Sequence, residues 1–127
     1  MELRLVLTVD DLDAALAVYR DGLGLPEREM WLGEDEARGV LLDAGSASLE
    51  LVNEAHAAAI DDAEVGRRVS GPVRIAFGVD DSEATAAALV AAGASQVAEA
   101  VTTPWRDRNV RVQAADGMQL TLFSVLD

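Results

Sequence analysis

The chain carries one pattern twice. Leu3 to Leu23 reads as an alternating strand, then Val9-Asp10-Asp11, an amphipathic helix and a closing Gly24. Val73 to Ala92 repeats it: an alternating strand, Val79-Asp80-Asp81, an Ala-rich helix and Gly93. The offset from Asp10 to Asp80 is 80 − 10 = 70 residues in a chain of 127. A period longer than half the chain means two copies of one folding unit, because a solenoid needs several short repeats. Any fold proposed for this sequence must therefore be made of two similar halves, and matched positions of those halves can be compared residue by residue.

The local signals give the content of each half. Leu3, Leu5, Leu7 and Val9 share one strand face, and Arg4, Val6 and Thr8 the other. Asp10 or Asp11, and Asp80 or Asp81, supply carboxylates for the free N–H groups that open a helix; they read as caps and not as an acid–base dyad. Leu12, Ala15, Leu16, Tyr19 and Leu23 form a helical stripe, stopped by Gly22 and Gly24. Strands are expected near Arg28 to Leu32, Gly39 to Leu42 and Ser48 to Val52, separated by turns at Gly33-Glu34-Asp35-Glu36 and Asp43-Ala44-Gly45-Ser46. In the second half Val73, Ile75, Phe77 and Val79 share a face, Ser82 to Ala92 is helical, and strands follow near Gln96 to Val101, Asn109 to Gln113 and Gln119 to Ser124. The expected architecture is α+β: two tandem βαβββ modules, about 1–53 and 72–127, in one domain. The 54–71 linker has no strand periodicity, a short helix over Ala55 to Ile60 and an irregular Arg67 to Gly71.

Composition narrows the function classes. Half of the residues are hydrophobic, as in a globular protein. No apolar run approaches the roughly 20 residues that span a bilayer. Neither a leader peptide nor a membrane partner is expected, and the expected location is cytoplasmic. The absence of cysteine removes disulfides, thiolate nucleophiles and Cys-ligated metals. All ten basic residues are arginine, so lysine chemistry is excluded. A formal charge of −13 repels a phosphate backbone, which argues against nucleic acid and favours cationic partners.

Several phrases carry a family resemblance: Val9-Asp10-Asp11-Leu12-Asp13-Ala14-Ala15 with Tyr19-Arg20-Asp21 and Leu23-Gly24-Leu25; Ser48-Leu49-Glu50-Leu51; Arg74-Ile75-Ala76-Phe77-Gly78-Val79-Asp80-Asp81; Thr103-Pro104-Trp105; and Ala115-Asp116-Gly117-Met118. In this order and spacing the chain resembles the vicinal oxygen chelate superfamily, which includes glyoxalase I, extradiol dioxygenases, and fosfomycin- and bleomycin-resistance proteins. The resemblance implies a curved mixed sheet around a cleft. In metal-dependent members, four inward-facing positions, usually His, Glu, His and Glu, hold a divalent ion. The matching positions here are Arg4, Glu50, Arg74 and Thr121. The repeat supports that match, since 74 − 4 = 70 and 121 − 50 = 71. Arginine stays protonated and offers no lone pair, so neither a metal nor another cofactor is expected.

Two accounts of these residues stand side by side. Arg4, Glu50 and Arg74 either pair with one another as salt bridges of a cavity floor, or the arginines hold an anionic ligand oxygen. Trp31 and Trp105, the only tryptophans, either stack a planar ligand or serve packing or a dimer contact. Arg111 and Gln113 share a strand face expected to line the cavity, and Phe123 shares its face with Thr121. His56, the only histidine, lies in the linker and reads as a solvated surface residue. The resulting expectation is a metal-independent small-molecule binder of the bleomycin-resistance kind, without catalytic residues, that sequesters a planar or cationic antibiotic as a homodimer. The alternative is a superfamily enzyme (lyase, isomerase or dioxygenase) that uses a displaced metal site, or Glu50 as base with arginine as oxyanion stabiliser.

Overall fold

The computed structural model describes residues 1–126. Module one consists of β1 (Glu2–Thr8), α1 (Leu12–Leu16), β2 (Glu27–Leu32), β3 (Arg38–Asp43) and β4 (Ser48–Val52). A connecting helix α2 (Glu54–Glu64) leads to module two: β5 (Val73–Gly78), α3 (Ser82–Ala91), β6 (Ser95–Gln96), β7 (Val101–Thr102), β8 (Asp107–Gln113) and β9 (Gln119–Val125). The strands form one curved, mixed sheet in the order β2-β3-β4-β1-β5-β9-β8-β6, with β7 also on β8. This is the α+β architecture expected from the repeat. Among the described residues, no helix is long and apolar enough to cross a membrane.

The two copies meet at the centre of the sheet. β1 and β5 pair antiparallel with Leu5 opposite Ile75, and 75 − 5 is again 70, so the pseudo-twofold axis passes through this pair. Each copy then adds a parallel neighbour in the same register. Val6 pairs with Glu50 of β4, and its counterpart Ala76 pairs with Thr121 of β9. Both helices that follow a central strand are capped alike: Asp11 and Asp81 each accept the N–H three residues on, at 3.0 Å.

Strand alternation sends side chains to two faces that are covered differently. On the convex face, Leu12 and Leu16 of α1 pack on Val40, Leu42 and Leu51, while Ala86 of α3 packs on Val110, Val112 and Leu122. Neither helix reaches the middle, and Leu3 and Leu5 stay 41% and 37% exposed. On the concave face, Ala57 and Ile60 of α2 pack on Val6, Val52, Ala76 and Phe123.

The structure corrects three details of the sequence reading. The α1 stripe ends at Tyr19, because a π-helical turn over Ala17–Gly22 (Leu23 N–H to Val18 C=O, 3.1 Å) rotates Leu23 into solvent. The strand expected over Gln96 to Val101 is two short pieces. Gln96 pairs with Val112 and Val101 with Asn109, so five steps on one side face three on the other and the surplus loops out. The linker helix is an 11-residue element that continues four residues past Ile60.

That helix is held by a buried ionic network. Fully buried Arg111 of β8 donates to Asp61 at 2.8 Å and to Glu64 at 3.0 Å. Asp61 also accepts from the backbone N–H groups of Val69 and Ser70 and from Arg68. Burial alone would raise the Asp61 pKa, but these donors outweigh it and hold the carboxyl well below its usual 3.8. The sign follows by linkage: the contribution of Asp61 is complete above pH 3.8 and is lost as pH falls below it. Replacing Arg111 by Met should remove the buried cation that both Asp61 and Glu64 pair with and cost about 3–5 kcal/mol at pH 7. In urea unfolding measured from pH 7 to pH 2.5, the gap between wild type and Arg111→Met should narrow in acid; a pH-independent gap would refute the assignment.

Candidate functional site

The concave face and α2 enclose a cavity of about 350 Å³. Its floor comes from the central strands: Arg4 and Val6 of β1, Arg74 and Ala76 of β5, Glu50 of β4, and Thr121 and Phe123 of β9. The register explains the convergence, since Arg4 and Arg74 lie on the same face on either side of the pseudo-twofold axis. All four positions matched to metal ligands thus meet at one floor.

The two floor arginines are held differently. Arg4 donates to Glu2 at 2.7 Å and to Glu50 at 3.5 Å, and its guanidinium lies 4.9 Å from the centre of the Phe123 ring, a cation–π contact. The salt-bridge account therefore describes Arg4. Among the described residues Arg74 has no carboxylate within 4.0 Å and makes one hydrogen bond, from Nη1 to Thr121 Oγ1 at 2.7 Å. The Thr121 hydroxyl is saturated: it donates to Glu64 and accepts from both Arg74 and Arg111. Burial pushes the Glu50 carboxyl up, although Arg74 and Arg4 pull it down.

Aromatic and acidic groups form the walls. Trp31 reaches the cavity from β2, while its neighbours Met30 and Leu32 point outward to solvent. Trp105 stands at the cavity edge, 45% exposed, in the turn between β7 and β8. Glu29 and Asp107 add carboxylates to the lining.

The sequence reading misplaced His56. It stacks on Trp31, with ring centres 6.0 Å apart and planes 17° apart, and lines the cavity. Burial lowers its pKa, and the Arg74 charge lowers it further, so the ring is held neutral. Gly39 makes room for it: a Cβ there would lie 2.8 Å from His56 Cδ2 and 3.2 Å from the Trp31 ring. Asn53 fixes the start of α2 by accepting the His56 backbone N–H at 2.9 Å. Glu64 and Asn109 also line the cavity without having been singled out. A signal for α2 was present: Ala57, Ile60, Asp61 and Glu64 fall at i, i+3, i+4 and i+7, and all four are buried.

Arg111 and Gln113 are corrected in the opposite sense. Arg111 does face the concave side, but α2 lies over it, and its guanidinium belongs to the network with Asp61 and Glu64. Gln113 is exposed and bonds to Gln119, outside the cavity lining.

The donor set does not suit a divalent cation. Two of the four matched positions are guanidinium groups that repel it, the third is a hydroxyl already saturated, and only Glu50 is a ligand type. Among the described residues there is no group of three or more His, Cys, Asp or Glu side chains arranged to hold a metal.

With fold and cavity described, the class follows: the chain belongs to the glyoxalase/bleomycin resistance protein/dioxygenase superfamily, whose family model matches residues 3–122. Among solved structures it is similar to methylmalonyl-CoA epimerase from Mycobacterium tuberculosis (TM-score 0.68, 23% identity, covering 98% of this chain and 87% of that one). A hypothetical protein from Bacillus halodurans C-125 gives a TM-score of 0.70 at 18% identity, covering 98% and 93%. A superfamily member from Vibrio splendidus 12B01 gives 0.63 at 16% identity, covering 97% of each chain. Identities this low show the shared fold alone. No curated protein sequence matches the chain.

Proposed function

We propose that this protein is a metal-independent small-molecule binder that holds a planar ligand in the cavity between Trp31 and Trp105. The observation that carries the reading is the composition of the wall: a Trp31–His56 stack, Phe123 on the floor and an exposed Trp105 at the edge, in a family whose usual ligand positions here carry two arginines. Flat aromatic surfaces bury large ligand area at little entropic cost, and a half-open tryptophan has area left to offer. The carboxylates of Glu29 and Asp107 and the net charge of −13 suit a ligand with a basic group at its outer end, as in a cationic antibiotic. Titration with a panel of planar drugs should quench tryptophan fluorescence. Trp31→Ala should weaken binding about tenfold, the equivalent of roughly 1.4 kcal/mol of lost stacking. A panel that perturbs neither tryptophan would defeat the proposal.

One observation favours a catalytic second reading. Glu50 is a buried carboxyl whose pKa is raised by desolvation, and it shares the floor with Arg74. Such a pair suits proton abstraction beside a carbonyl, with Glu50 as base and Arg74 holding the enolate oxygen. Because the similar solved structures include methylmalonyl-CoA epimerases, methylmalonyl-CoA is the first compound to test. In D₂O, enzymatic exchange of its α-proton, followed by NMR, should fall about 10²–10⁴-fold in Glu50→Gln. Exchange that is unaffected by Glu50→Gln removes this reading.

A further inference from the structure

We propose that the ligand enters with an anionic oxygen leading, a carboxylate, phenolate or enolate, and that Arg74 receives it. The inference rests on the binding reading above and adds the polarity of the ligand and its direction in the cavity.

Three arginines lie on the concave side near the floor, and their partners distinguish them. Arg111 has Asp61 and Glu64 at 2.8 and 3.0 Å, and Arg4 has Glu2 and Glu50 at 2.7 and 3.5 Å. Arg74 has no ion pair among the described residues, although it is only 6% exposed. Of the five N–H donors of its guanidinium, the chain engages Nη1 alone, through Thr121. Nε and Nη2 have no hydrogen-bond partner among the described residues, and Arg74 lines the cavity. A buried cation with free donors is expensive unless something anionic completes it. Glu50 and Glu64 compensate it only at longer range. Glu64 is already committed to Arg111, Thr121 and Asn109.

A second unmet group lies on the same wall. Buried Asn109 donates from Nδ2 to Glu64 Oε2 at 3.1 Å, and this bond fixes the amide orientation because a carboxylate only accepts. Its Oδ1 is then the one fully buried side-chain N or O among the described residues with no partner. Asn109 connects to Arg74 through Glu64 and Thr121, so unmet donors and an unmet acceptor belong to one hydrogen-bonded cluster. The carboxylates of Glu29 and Asp107 oppose a second negative charge on the ligand. The class defined is a planar monoanion, or a zwitterion whose basic end stays outermost.

Isothermal titration with 2-naphthoate, its neutral isostere 2-naphthamide, and 2-naphthylmethylammonium tests this. Wild type should bind naphthoate about tenfold or more tightly than the amide, as expected for a charge-assisted hydrogen bond in a buried site. Arg74→Gln should abolish that preference, leave amide binding within about twofold, and leave the apo melting temperature unchanged or raised, since a buried cation without a carboxylate partner is removed. Arg74→Lys, which keeps the charge but not the planar fork, should retain part of the preference. Equal binding of acid and amide, tightest binding of the ammonium compound, or an intact preference in Arg74→Gln would overturn the inference and leave the binder reading standing. If Arg74→Gln does not fold, an intact preference in Arg74→Lys overturns it. Failure of all three compounds to bind would remove the binder reading and the inference together.

Discussion

Everything at the site depends on the pairing of β1 with β5. Two copies of one module join through an antiparallel ladder centred on Leu5 and Ile75, and that register sets Arg4 and Arg74 on one face, related by the axis. The parallel neighbours follow in step, so Glu50 and Thr121 arrive at equivalent places beside them. A slip of one residue in that ladder would put the two arginines on opposite faces of the sheet, because strand side chains alternate. The duplicated frame is symmetric, whereas the chemistry on it is not. One arginine is paired with carboxylates, and the other meets only a threonine hydroxyl.

The asymmetry originates in α2. It crosses the concave face, packing on both modules, and brings Asp61 and Glu64 onto Arg111 of module two. Toward module one it presents His56 instead, beside Gly39 and Trp31 in the cavity lining. Glu64 links the structural network to the site: it anchors the helix through Arg111, orients Asn109, and accepts the Thr121 hydroxyl hydrogen bond so that the threonine oxygen is left to accept from Arg74. A buried ionic network is seldom the most stable choice for a core, but it fixes one arrangement of its polar members.

Much of this is legible in the sequence. The module order and a cap from Asp10 or Asp11, and from Asp80 or Asp81, follow from short-range signals repeated at a fixed offset; the structure selects Asp11 and Asp81. The convergence of Arg4, Glu50, Arg74 and Thr121 follows from the family resemblance, which the repeat supports. What escaped belongs to α2, which has no counterpart in the repeat and so no second copy to read against. Its Asp61 and Glu64 look like surface charges until Arg111 is placed beside them, and His56 looks solvated until Gly39 is seen to leave space for its ring. Arg111 was assigned to the correct face and the wrong role, because only the tertiary position of α2 decides which part of the concave face is covered. The π-helical turn after α1 likewise has no strong sequence mark.

At the positions matched to metal ligands the cavity floor carries the guanidinium groups of Arg4 and Arg74, a donor set that does not suit a divalent cation. Elemental analysis of protein purified without chelator, then incubated with Zn²⁺, Ni²⁺ or Fe²⁺ and desalted, tests it most directly. The account predicts no stoichiometric metal, because Arg4 and Arg74 repel the ion and Glu50 is the sole carboxylate among the matched positions. Stoichiometric metal that survives desalting and is lost in Glu50→Gln would contradict it.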